Sequence, residues 1–135
     1  MMELFDPYKI TIWVSAIAGL LVLIQIIIAD VAAIRGQHTP GYPVSSDHNN
    51  FLFRATRAHA NTNESISVFI LFVLFGIYSG SSAFYLNMFA MIYLIGRIAH
   101  MCFYYANLKL ARSISFPVSL VGLIGMFVTS VISWF

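Results

Sequence analysis

The chain has 135 residues, 60% of them hydrophobic and 9% charged, with a formal net charge of +2. A soluble domain carries about a quarter charged residues, so this composition excludes one and points to an integral membrane protein. The small positive excess gives no reason to expect nucleic acid as a partner, and a single cysteine, Cys102, excludes an intramolecular disulfide or a cysteine-built metal site.

A spanning helix takes about 20 apolar residues, so four spans and their loops use the length and leave no room for a separate soluble domain. The opening segment, Met1 to Lys9, lacks the basic region of a secretory leader, and the apolar run behind it is as long as a true span. The first helix, residues 10–34, is therefore expected to be retained; Trp13 anchors one end and Asp30 lies near the other. Residues 35–50 form the one long loop, because Gly36, Pro40, Gly41 and Pro43 break any helix. His38 and His48 within it have no metal-ligand spacing.

The second span, residues 51–79, opens on Arg54-Ala-Thr-Arg57-Ala-His59-Ala-Asn61-Thr-Asn-Glu64, and only its second half is fully lipid-compatible. Ionisable residues at membrane depth are unfavourable and usually serve a ligand or a partner. The break Gly80-Ser-Ser is short enough to demand an antiparallel hairpin into the third span, residues 83–107. A basic connection, residues 108–113, leads to the fourth span, residues 114–135, with Pro117 in its first turn, where proline is tolerated. The loop side of spans one and two holds Arg35, Arg54 and Arg57, and that of spans three and four holds Lys109 and Arg112, against Lys9 alone on the other side. The positive-inside rule then places both basic loops in the cytoplasm and both termini outside.

At 100° per residue, Arg54, Arg57, Asn61 and Glu64 share an arc of roughly 80° on the second helix, and His59 points away from it. Tyr93, Arg97, His100 and Tyr104 share a narrow arc on the third. An antiparallel bundle with short loops makes these helices neighbours, so the two polar stripes meet at one depth, near Lys109, Arg112 and Ser113. One acid among several arginines suits an anionic ligand, which a guanidinium grips in bidentate fashion. Other roles stay open for single residues: Arg54 and Arg57 also suit snorkelling to headgroups, Glu64 a counter-ion for Arg57 or Arg97, and the tyrosines plain packing.

These residues resemble the signature of the MAPEG superfamily, the membrane-associated proteins of eicosanoid and glutathione metabolism. Arg54-x-x-Arg57-Ala-His59-x-Asn61-x-x-Glu64 is similar to its helix-two motif, Gly96-Arg97-Ile-Ala-His100 with Tyr104 to its helix-three motif, and Arg112-Ser113 to the pair opening helix four. The resemblance covers essentially the whole chain. It implies an all-α, antiparallel four-helix membrane bundle that assembles as a homotrimer with glutathione, the cosubstrate, between subunits. It further implies that Arg57, Asn61 and Glu64 contact the tripeptide, that Arg97, His100 and Tyr104 complete the wall, and that Arg112 with Ser113 stabilises the thiolate, while Arg54 is structural. The implied activity is conjugation of glutathione to lipophilic electrophiles arriving from the bilayer, with hydroperoxide reduction beside it. Ala60 and Phe116 depart from the prostaglandin-forming member, which has arginine and tyrosine there, so a bacterial member of broad specificity, in the inner membrane, is the expectation. The alternatives are a non-catalytic lipid- or partner-binding member, disfavoured by the intact motif, and a channel subunit. A channel would need polar residues across the whole membrane, and the outer halves of the helices carry almost none.

Overall fold

The computed structural model describes residues 5–135; residues 1–4, the start of the segment read as lacking a leader's basic region, lie outside it. Among the described residues a 3-10 turn, Asp6–Tyr8, leads into four helices: α1 (Lys9–Arg35), α2 (Phe51–Tyr78), α3 (Ala83–Tyr105) and α4 (Lys109–Ile132). Each is long and apolar enough to cross a membrane. Leu20, Leu23, Ile27, Leu71, Ile95 and Ile124 stand exposed on their outer faces, where a water-facing helix would carry charge. The molecule is an integral, multi-pass membrane protein.

The fourth helix starts earlier than the sequence suggests. Lys109 to Ser113 belong to it, and the connection from α3 shrinks to Ala106, Asn107 and Leu108. Asn107, at φ +57°, takes the left-handed conformation that asparagine tolerates well and ends α3. Lys, Leu, Ala and Arg are all strong helix formers, so nothing delays the next helix. Pro117 accordingly lies well inside α4 and not in its first turn. Having no N–H, it leaves the Ser113 carbonyl without its helical donor. The other boundaries also shift slightly, α3 ending at Tyr105 and α4 at Ile132. At the start of α2 the Asn50 side chain accepts from the Leu52 amide at 2.9 Å, satisfying one of the free N–H groups of the first turn.

In a bilayer, lipid competes with helices for apolar contact, so association rests on close packing and interhelical hydrogen bonds. The buried core joins Val14 and Ala18 of α1, Phe69 and Val73 of α2, Leu86, Ala90, Tyr93 and Leu94 of α3, and Leu123 and Met126 of α4. Polar clips add to it. The Tyr8 hydroxyl donates to the Ser81 carbonyl at 2.6 Å, Asn87 Oδ1 accepts from the Thr11 amide and hydroxyl at 2.9 and 2.7 Å, and Gln25 Nε2 donates to Thr62 Oγ1 at 3.1 Å. The α3–α4 seam is the tightest. A Cβ on Gly96 would lie 2.7 Å from the Ser119 amide nitrogen, and one on Gly122 would lie 2.6 Å from that of Tyr93. Both obstacles are backbone, so neither can yield by a rotamer change. Gly96→Ala is expected to force the helices apart and destabilise the bundle by about 1–3 kcal/mol, seen as a lower thermal midpoint in detergent. An unchanged midpoint would show that the seam has slack.

Candidate functional site

The Gly96 seam has a local consequence. By letting α4 approach α3, it brings Ser119 under the side chain of Arg97, the residue after that glycine. Arg97 is 1% exposed, and a buried guanidinium needs its donors satisfied. Its Nε donates to Ser119 Oγ at 2.9 Å, and its Nη2 makes a short bond to the same oxygen. Its Nη1 donates to Asn61 Oδ1 at 2.7 Å and to the Asn61 carbonyl at 3.4 Å. The two polar stripes thus meet, with Arg97 tying α2 to α4 through α3. With Oδ1 held by Arg97, the amide nitrogen of Asn61 is the end left to face outward.

From Arg97 a run of side chains follows α3 toward its C-terminal end. The guanidinium lies 5.4 Å from the ring centre of Phe116, and Phe116 is 6.2 Å from the imidazole of His100. His100 meets Tyr104 edge-on at 5.0 Å, and the guanidinium of Arg112 sits 4.7 Å over the Tyr104 ring, a cation–π contact. His100 is buried and its Nδ1 has no hydrogen-bond partner. Tyr93, on the same stripe, serves packing: it stacks on Phe69 at 4.4 Å, and its hydroxyl pairs with Ser65 at 3.0 Å.

The α2 stripe divides along its length. Arg54 and Asn61 form one edge of its arc, turned toward α3; Arg57 and Glu64 form the other, and both are exposed. Arg54 is structural. It donates to the His48 and Asn49 carbonyls at 2.7 and 3.0 Å and to the Tyr105 carbonyl at 3.4 Å, pinning the loop to the end of α3. Ser113 is exposed, and its hydroxyl donates to the Lys109 carbonyl of its own helix at 3.0 Å. One residue along a helix turns the side chain by about 100°, so Arg112 points inward and Ser113 does not. Asn61, Arg97, His100, Tyr104 and Arg112 therefore converge, while Arg57, Glu64 and Ser113 line the outer surface beside them.

One participant was not legible in the sequence. His48, in the loop between α1 and α2, accepts at Nδ1 from Arg112 Nη1 at 3.2 Å. Its ring meets Phe53 edge-on at 4.9 Å and lies 6.4 Å from Tyr104. Partial desolvation, then the cations Arg112, Lys109 and Arg54, hold its pKa below the ordinary 6.5, with Asp47 acting weakly the other way. Loop residues carry no periodicity, so no spacing pointed to this contact. Cys102 is exposed on α3, away from the run.

The arrangement is a strip of cations and aromatic faces at one end of an apolar bundle, with an amide, a carboxylate and a further guanidinium at its outer edge. It can bind a flexible, mainly anionic ligand along the strip and hold a developing negative charge at Arg112. Among known families, the model of the MAPEG family matches residues 10–132, nearly the whole chain. A comparison with curated proteins finds no match.

Proposed function

We propose, since the chain belongs to the MAPEG family, that it is a glutathione-dependent membrane enzyme that activates the thiolate for attack on lipophilic electrophiles. The observation that carries this is Arg112 held over Tyr104 at the end of the Asn61–Arg97–His100 strip. Glutathione has two carboxylates, one ammonium and one thiol. Arg57 suits a carboxylate, Glu64 the ammonium, and Asn61 a peptide group through its outward amide nitrogen. The thiol is mostly protonated at neutral pH; a guanidinium beside it lowers its pKa and raises the thiolate fraction. Arg112 takes that role. With an aryl chloride the thiolate sulfur bonds to the ring carbon, chloride leaves with the C–Cl pair, and the thiol proton passes to solvent. With a hydroperoxide, two glutathione molecules are oxidised to the disulfide as the O–O bond is reduced to alcohol and water.

Arg57 and Glu64 are exposed in a single copy, although arginine and glutamate at membrane depth normally face protein or a water-filled site. That supports a site between subunits, its second wall supplied by the neighbouring copy, as in the homotrimer that the family resemblance implies. Basic loops in the cytoplasm would place the site where glutathione is abundant.

Purified protein in detergent should bind glutathione and conjugate it to 1-chloro-2,4-dinitrobenzene. Intact oligomer that shows neither binding nor thiolate absorbance would defeat the enzyme reading and favour a non-catalytic lipid-binding member. Arg57→Ala removes one charge-assisted contact to glutathione from a side chain exposed within its own subunit, so its effect falls mainly on binding. The dissociation constant for glutathione should rise about 10- to 100-fold with the thermal midpoint unchanged, as calorimetry on the detergent-solubilised protein would show.

A further inference from the structure

We propose that His48 is a positioning residue that holds Arg112 in its working orientation through the Nδ1 acceptor, and so makes thiolate activation sensitive to acid. The proposal rests on the glutathione reading above and deepens it by naming a control on the same site.

Arg112 has two contacts that fix its head: the Tyr104 face at 4.7 Å and His48 Nδ1 at 3.2 Å. The ring face attracts the cation but does not choose a direction within its plane. The imidazole nitrogen does, because a hydrogen bond requires alignment of donor and lone pair. His48 is itself well anchored. Its carbonyl accepts from Arg54 at 2.7 Å, and its ring is braced by Phe53 at 4.9 Å. The loop therefore presents a fixed acceptor to the guanidinium.

An acceptor at Nδ1 demands the neutral imidazole with its proton on Nε2. Protonation places a hydrogen on Nδ1 and turns the acceptor into a donor facing a donor. It also adds a positive charge beside every cation that faces the ring: Arg112 and Lys109 from α4 and Arg54 from α2. Tyr104 of α3 also faces the ring, and Asp47, next in the loop, is the acid that acts against them. The direction follows from the lowered pKa. The Arg112 contact is complete above the ordinary value of 6.5 and is lost as pH falls through the lower value of the folded protein.

Two substitutions separate the acceptor from the packing. His48→Phe keeps an aromatic ring against Phe53 and Tyr104 but removes the acceptor. His48→Asn keeps an acceptor oxygen near the Nδ1 position and cannot titrate. At pH 7.5, His48→Phe should lose about tenfold in kcat with KM for glutathione nearly unchanged, and His48→Asn should recover most of that loss. At acid pH the wild type carries two titrations, thiol and imidazole, so log kcat should fall more steeply than slope one over about one pH unit, until the roughly tenfold imidazole step is complete. His48→Asn should fall with a slope of about one. Gel filtration checks that each variant keeps the wild-type oligomer; should His48→Phe fail to fold, the slopes of wild type and His48→Asn decide. Equal kcat for wild type and His48→Phe, equal losses in both variants, or identical acid slopes would overturn the proposal while leaving the transferase reading intact. A wild type that neither binds nor conjugates glutathione at any pH overturns that reading and this proposal with it.

Discussion

Arg112→Ala is expected to lower kcat for glutathione conjugation by about 100-fold or more while the protein still binds glutathione within a few-fold of wild type. A preorganised donor aimed at developing charge contributes about two to three powers of ten when it acts on the reacting atom alone. The binding groups lie elsewhere: Arg57, Asn61 and Glu64 are on α2, and Arg112 is on α4. Stability should change little. Arg112 is half-buried, and its guanidinium meets one aromatic face and one histidine nitrogen, each a weak interaction. Arg112→Lys should recover part of the rate, because it restores charge but neither the fork geometry nor the planar stacking. Stopped-flow mixing with glutathione separates the steps: thiolate absorbance should fail to develop in Arg112→Ala although heat of binding is still measured. Full turnover in that variant would move the thiolate role to another group.

The second large effect belongs to Arg97. Arg97→Leu is expected to destabilise the bundle by about 2 kcal/mol and to weaken glutathione binding by at least tenfold. The reasoning separates two losses. Ser119 keeps bonds from its hydroxyl to the Ser115 and Phe116 carbonyls at 3.3 and 3.1 Å, so it is not left unpaired. Asn61 Oδ1 loses its donor, and an unsatisfied amide in this setting costs roughly 1–3 kcal/mol. Interhelical polar contacts in membranes tend toward the low end of such figures, and deleting a buried cation returns some desolvation energy. The binding loss has a different origin: Asn61 is freed to rotate, and a positive charge beneath the strip disappears. Thermal unfolding in detergent reads the first loss, and calorimetric titration with glutathione the second. A variant as stable as wild type would mean that Arg97 does not brace α2 against α4. One that binds glutathione normally would confine Arg97 to a structural role.

Much of the site is visible in the order of residues, and the reason is periodicity. Spacings of three, four and seven fix the direction of a side chain about its own helix axis, so the stripe from Arg97 to Tyr104 was readable, as was the exclusion of His59 from its partner arc. The motif from Arg54 to Glu64 likewise carried the family. Periodicity does not reveal which neighbour lies in a given direction. Hence a single arc on α2 could not disclose that Arg54 ends on loop carbonyls and Asn61 on Arg97. Reading charge as a connection places the onset of α4 several residues too late, whereas Lys109 and Arg112 are as helix-compatible as the apolar residues that follow.

The residue order by itself determined the membrane class, the four spans, the two polar faces and the family to which they belong, since each depends on composition or on angle within one helix. The tertiary structure alone decided three further points. It committed Arg97 internally through Ser119, which needs the close α3–α4 approach that Gly96 permits. It turned Arg112 inward and Ser113 outward, which needs α4 to begin at Lys109. And it brought His48 to Arg112, a contact between a loop and a helix far apart in the chain. The first and third depend on distances between elements, which no spacing within an element encodes, and the second on a helix boundary that the charged residues before it conceal.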